Sequence, residues 1–212
     1  MRPEPRCCVR IERLTLGPYA TNSYILTCPD TGDGLLVDAP AEGSAIMRAA
    51  KHTKATHILV THSHADHIGA LSELKSRLRV PVAIHRLDMK ALSVKPEILL
   101  EDGQEVAFGK ARLKVIHTPG HTPGSLCFLV GKHLLSGDTL FPHGPGRTNT
   151  PADLTRIIGS ITGRLFVLSD DTEVYPGHGN STILAKEKEE FAVFSARSHD
   201  PGLSGDVLWL SS

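Results

Sequence analysis

The sequence predicts a mixed α/β (α+β) fold in which two β-sheets pack face to face with helices outside. Strand signals precede helix signals in the first half of the chain, and the same order returns in the second half. No linker-like stretch separates the halves, so 1–212 reads as one domain, with a core from about 9 to 195 and a loosely held tail from Ser198. At 212 residues the chain is long enough to bury the apolar faces of such layers.

The elements follow from the residues in order. Val9 to Leu16 alternates apolar and polar, with a slip at Arg13-Leu14, and reads as a strand. A Gly17-Pro18 turn leads to a second strand over Asn22–Thr27, and the turn Pro29–Gly34 returns the chain as Leu35–Val37. Ser44 to Lys51 is expected to be helical with Ser44 as N-cap, and His57 to Val60 is a short buried strand. A helix starting near Asp66 carries Ile68, Leu71, Leu74 and Leu78 at helical spacing. Val80–Ile84 is a strand, Leu87–Leu92 a helix, and the stretch around Pro96 a loop. The second half places strands at Glu105–Phe108, Arg112–His117, Ser125–Val130 and His133–Ser136. A helix over Pro151–Ile161 with Pro151 in its first turn, a strand at Glu173–Tyr175 and a helix over Thr182–Phe194 complete the order.

Composition narrows the function classes. Basic and acidic residues balance at 23 each, which argues against nucleic acid as a partner. No run approaches the roughly 20 apolar residues of a membrane span, and the N-terminus has no apolar core of signal-peptide length, so a cytoplasmic protein acting on a small molecule is expected. A homodimer is compatible with this composition. Cys7, Cys8, Cys28 and Cys127 show no C-x-x-C spacing, and the adjacent Cys7 and Cys8 read as plain thiols at a strand start.

Chemistry concentrates in Thr61-His62-Ser63-His64-Ala65-Asp66-His67, which follows the apolar run Ile58–Val60. Imidazole and carboxylate together suit zinc and similar first-row metals. In an extended loop His62 and His64 point the same way and can share one ion, while Asp66 and His67 turn towards another. Three further candidates lie where strands end in Gly- and Pro-flanked loops: His121 in Thr118–Gly124, Asp138 in Ser136–Thr139, and His178 in Tyr175–Gly179. Seven candidates are too many for one tetrahedral zinc and enough for two ions sharing a carboxylate.

The order THSHADH, HTPGHTPGS, SGDT and YPGHG resembles the metallo-β-lactamase-fold superfamily, specifically its glyoxalase II-like hydrolases, from about Tyr24 to Glu187. The resemblance implies a four-layer αββα sandwich with two divalent ions, zinc first and iron or manganese as alternatives, at one edge of the sheets. It assigns the first ion to His62, His64 and His121, the second to Asp66, His67 and His178, and a bridging role to Asp138. It also implies attack of a bridging hydroxide on a thioester, ester or lactone carbonyl, with Asp66 as the catalytic residue that orients it. Asp38 matches an acid behind the family's ligands; a turn or cap role is equally open.

The loop Gly144–Asn149 stands where the family binds substrate. Arg147 falls at a cationic glutathione contact, or pairs structurally with a carbonyl, and Asn149 replaces a Tyr or Asp. Full-length glyoxalase II enzymes add a helical C-terminal extension; after His178 this sequence has room for one helix and a tail. The alternative within the superfamily is a persulfide dioxygenase-like oxidoreductase with one iron at His62, His121 and Asp138, whose G-x-G-R-T loop matches Gly146-Arg147-Thr148. A lactonase is a further alternative. An RNA-processing nuclease, an exported antibiotic hydrolase and a diiron electron carrier fit less well, for want of a basic surface, an export signal and an acid at His64.

Overall fold

A computed structural model describes residues 8–212. Cys7 lies outside the described residues, and Cys8 is exposed just ahead of the first strand.

The first sheet contains β1 (Arg10–Leu16), β2 (Thr21–Thr27), β3 (Asp33–Val37), β4 (Lys54–Leu59), β5 (Val82–His85) and β6 (Ile98–Leu100), side by side in chain order. β1 to β3 form an antiparallel meander, and β3 to β6 are parallel. Parallel neighbours need crossovers: α1 (Gly43–Ala49) joins β3 to β4, α2 (Ala65–Ile68) and α3 (Leu71–Leu78) join β4 to β5, and a loop with a 3₁₀ turn at Met89–Ala91 joins β5 to β6. The second sheet repeats the scheme. β7 (Glu105–Phe108), β8 (Ala111–His117), β9 (Leu126–Val130) and β10 (His133–Gly137) form a meander. α4 (Pro151–Ser160) crosses to β13 (Glu173–Pro176), parallel to β10, and β14 (Thr182–Ile183) and α5 (Leu184–Ser195) follow. A separate hairpin, β11 (Leu140–Phe141) with β12 (Gly144–Pro145), stands between β10 and α4.

Alternating side chains build three apolar layers. Leu26, Leu35, Val37, Leu59, Leu113, Val115, Leu126 and Phe128 meet between the sheets. Their neighbours Ile25, Leu36, Ile58 and Val60 face outward and cover Ile46, Leu71 and Leu74 of the helices. On the other outer face, Cys127, Leu134 and Val174 pack on Leu154, Ile157, Leu184 and Phe194. Three apolar layers between two sheets and two outer layers of helices are the αββα sandwich.

Local expectations change at several points. Ser44 is not the cap of α1: Glu42, with a left-handed backbone (φ 51°), precedes the helix, a 3₁₀ turn over Ala50–His52 follows it, and the Ser44 hydroxyl turns to Glu73. The helix expected from Asp66 to Leu78 splits into α2 and α3, because Ala70 N–H leaves the helical ladder and donates to Ala39 O at 2.8 Å. Gly69 at the break lies so close to Pro40 O that a Cβ would collide. Leu87–Leu92 makes only a 3₁₀ turn at Met89–Ala91; Leu87 (54 % exposed) and Met89 (37 %) give it no apolar face to bury. The loop after Pro96 contains the edge strand β6. Ile161 belongs to a π-helical turn, Ile161–Leu165, continuing α4. Thr182 and Ile183 pair as β14, so the last helix begins at Leu184.

The tail is the largest departure. Trp209 is fully buried and Val207 nearly so, against Phe191, Phe194 and the α4 face. Trp209 N–H donates to His143 O at 2.8 Å, and Thr148 and Gly205 form a β-bridge. The indole supplies the apolar area that a Gly- and Ser-rich composition conceals.

Candidate metal centre

Topology brings the candidates together. β4 delivers His62 and His64, and α2 presents Asp66 and His67 in its only turn. β8, β10 and β13 run in one direction, so the loops after them carry His121, Asp138 and His178 to the same edge of the second sheet. All seven side chains meet where the two sheet edges face each other.

Three overlapping groups lie close enough to hold an ion: His62, His64 and His121; His62, His67 and Asp138; and Asp66, His67 and His178. His64 Nδ1 lies 3.1 Å from His62 Nε2 and 2.9 Å from His121 Nε2. His178 Nε2 lies 3.3 Å from His67 Nε2 and 3.2 Å from Asp66 Oδ2. Asp138 stands between them: Oδ1 is 3.3 Å from His67 Nε2, and Oδ2 is 3.5 Å from His121 Nε2 and 3.6 Å from His178 Nε2. Two nitrogens bound tetrahedrally to one zinc, at about 2.05 Å each, sit about 3.3 Å apart. The spacing therefore suits a bound ion as well as it suits ring-to-ring hydrogen bonds.

The far side of each ring explains its orientation. His67 Nδ1 donates to Asp38 Oδ2 at 2.8 Å, His121 Nδ1 to Arg147 O at 2.8 Å, and His178 Nδ1 to Tyr19 O at 3.0 Å. Thr61 Oγ1 donates to Asp38 Oδ2 at 2.7 Å, which leaves it to accept from His62 Nδ1 at 3.1 Å. These four rings hold their Nδ1 proton outward and turn Nε2 towards the centre, where a shared cation, a metal ion or a proton, satisfies the facing nitrogens.

Electrostatics favours the same occupant. Burial pushes the imidazoles of His62 and His64 below their ordinary value, which favours the neutral form that a metal ion requires. Burial also opposes charge on His67, but Asp38 and Asp138 outweigh it and push this ring up to about 10. Burial alone would raise the Asp138 carboxyl; His67, His62 and His121 overcome that and hold it well below the carboxylate range. Its Oδ1 is buried without a well-aligned donor. Gly177 lets the backbone lie against Asp138 and His67, where a Cβ would collide with both.

Asp38, left between two roles by the sequence, supports the centre from behind: it is buried with a left-handed backbone (φ 59°) and also accepts Thr61 N–H at 2.8 Å. Arg147 reaches the centre only through its carbonyl. Its guanidinium is exposed, 3.6 Å from Asp206. Asn149 is exposed and lies outside the lining of the adjoining cleft. Tyr19 O, Arg147 O and the Thr61 hydroxyl escape sequence reading, since a carbonyl contact leaves no trace in residue type. The Thr that opens the first motif was the one available signal.

Two clefts flank the centre. One of about 320 Å³ is lined by His121, Asp138 and His178, by Phe141, Pro142 and Gly144–Arg147, and by Asp206–Leu208 of the tail. The other, about 210 Å³, is lined by Leu16–Tyr19, Thr21, Pro40, Ala41, Ala65 and Asp66.

Comparison with known proteins places this geometry. The chain is 32 % identical over 200 residues to "Probable metallo-hydrolase YqgX" of Bacillus subtilis (strain 168), covering 84 % of this chain and 94 % of the relative. It is 37 % identical over 161 residues to the hydroxyacylglutathione hydrolase of Anaeromyxobacter dehalogenans (strain 2CP-C), covering 76 % of this chain but only 62 % of that longer relative. Among solved structures, ETHE1 from Myxococcus xanthus superposes with a TM-score of 0.77 at 28 % identity, over 89 % of this chain and 86 % of that one. TTHA1623 in a di-iron-bound form gives 0.72 at 33 %, over 84 % and 96 %. The family model described as "Metallo-beta-lactamase superfamily" matches residues 16–179, a span that contains every ligand candidate and most of both sheets; the chain belongs to that superfamily.

Proposed function

We propose that this chain is a metal-dependent hydrolase of thioester, ester or lactone carbonyls, glyoxalase II-like in chemistry, with two divalent ions. The observation that carries the reading is the convergence of five imidazoles and two carboxylates, four of the rings tied from behind. His62, His64 and His121 hold the first ion, Asp66, His67 and His178 the second, and Asp138 is shared. Zinc fits this nitrogen- and oxygen-rich set; iron and manganese fit it nearly as well. Bound ions supply Lewis acidity and a water ionised near neutral pH.

The protein's own groups do the rest. Asp66 Oδ2, held by the Thr21 hydroxyl at 3.2 Å, accepts a hydrogen bond from the attacking water and aims its lone pair at the carbonyl. The two clefts divide the substrate. Phe141, Pro142, Pro145, Val207 and Leu208 give one half an apolar wall, and Pro18, Tyr19 and Pro40 give the other half a smaller one. Glutathione recognition is not required by this lining: Arg147 is the cation beside the larger cleft, and Asp206 offsets it. The hydroxyacylglutathione hydrolase relative supports the reaction class, while the chain spans less than two thirds of its length.

A second reading, a mononuclear iron oxidoreductase of the persulfide dioxygenase kind, is favoured by Gly146-Arg147-Thr148 and compatible with the likeness to ETHE1. The test is a panel of acyl thioesters, esters and lactones, given to metal-reconstituted protein with an oxygen electrode in the cell. Hydrolysis without oxygen uptake supports the proposal. Oxygen consumption on a persulfide, with no hydrolysis, overturns it in favour of the second reading.

A further inference from the structure

Asp88 lies in the turn after β5, is 4 % exposed, and touches none of the seven ligand candidates. Its carboxylate is nevertheless saturated by donors from the two ligand loops. Oδ2 accepts Ser63 N–H at 3.0 Å, Ser63 Oγ–H at 3.2 Å and Thr122 Oγ–H at 2.8 Å. Oδ1 accepts Gly124 N–H at 2.7 Å. Ser63 sits between His62 and His64, on the loop after β4 of the first sheet. Thr122 follows His121, on the loop between β8 and β9 of the second. One buried carboxylate therefore fastens together the loops of opposite sheets that present the three imidazoles of the first group. A Cβ at Gly124 would collide with this carboxylate, so the loop closes tightly on it.

An ionised carboxylate suits this post because it is acceptor-only and offers about four lone pairs. Charge-assisted bonds to backbone N–H are the stronger kind. An amide in its place must point N–H against a donor, and a shorter side chain leaves buried donors unpaired. A displacement of the His121 loop against the His62–His64 loop directly changes the 2.9 Å approach of His121 Nε2 to His64 Nδ1.

We infer that Asp88 is the positioning residue of the first metal group, setting the distance between its two ligand loops. This rests on reading His62, His64 and His121 as metal ligands. Buffered titration of the full-length protein with cobalt(II), followed by visible absorption, tests it. In Asp88→Asn one of the two binding steps is expected to weaken by about 10- to 100-fold, as for other groups that orient ligands from behind, while the second stays within about twofold. Unfolding of the apo-protein, followed by circular dichroism, reports any general loss of stability. Two unchanged binding steps, or equal weakening of both, overturn the assignment even if the unfolding temperature falls. Should Asp88→Asn not fold, Thr122→Val decides, since it removes one of the four bonds. A weakened first step there, restored by Thr122→Ser, supports the role, and wild-type binding in Thr122→Val overturns it. A wild-type chain that takes up no cobalt removes the ligand reading and this assignment with it.

Discussion

At the residue scale, the ligand candidates divide sharply from the groups that hold them. The seven candidates are legible because His and Asp in Gly-, Pro- and strand-flanked positions are chemically conspicuous. Their supports are not, because a carbonyl at Tyr19 or Arg147 can be any residue. His64→Ala removes the nitrogen nearest to both His62 and His121, and hydrolysis in the panel is expected to fall at least about 100-fold. Turnover at the wild-type rate would refute the first-ion assignment. Arg147 and Asp206 make opposite expectations about charge. Arg147→Ala should raise KM for anionic substrates alone, and Asp206→Asn should lower it for the same substrates, by about two- to fivefold given the exposure of both groups. Equal shifts on neutral substrates would count against a substrate contact.

At the element scale, strands were easier to read than helices. Alternation in Ala111–His117 survives into a paired strand because one face must be buried, whereas the slip in Arg10–Leu16 sends Ile11 to the inter-sheet layer and Leu14 and Leu16 to the outer one. Helical spacing over Ile68–Leu78 was correct for the buried face of α3, but the chain breaks at Gly69 where Pro40 approaches, a tertiary contact without a local signature. Composition hid the tail. Trp209→Ala should cost about 3–5 kcal/mol through the cavity left among Phe191, Phe194 and α4, a fall of roughly 6–20 °C in Tm. A change below about 1 kcal/mol would show that the tail is not part of the folded core. Glu187 is a second buried feature of α5: it accepts Thr182 Oγ–H at 2.7 Å and His143 N–H at 2.8 Å. Burial raises its pKa above 4.5, so the native state binds the extra proton just above pH 4.5 and stability declines as pH rises through that window. Glu187→Gln should remove that share of the decline in denaturant-melt free energies as pH rises above about 4.5; an unaltered slope would contradict it.

At the scale of the whole molecule, the two halves share one scheme, an antiparallel meander followed by a parallel crossover, and they meet at the edge where the ligands converge. That repeat was visible in the order of strand and helix signals, and the face-to-face packing followed from it. The hairpin β11–β12 and the tail, which together wall the larger cleft, were not visible, since neither has a periodic pattern of its own. Ions held as proposed would be shared by both sheets and bind the folded state alone, so chelation should lower Tm. At a free metal concentration about 100 times Kd, each ion contributes about 2.7 kcal/mol. An identical melt with and without chelator would deny the ions that structural share.

On the proposed reading, seven side chains from four loops hold a pair of divalent ions. Elemental analysis of the purified, metal-reconstituted protein measures this most directly. Two divalent ions per chain, falling to one or fewer in His64→Ala, is the expected result. A single iron per chain, or no metal retained after buffer exchange, would contradict it.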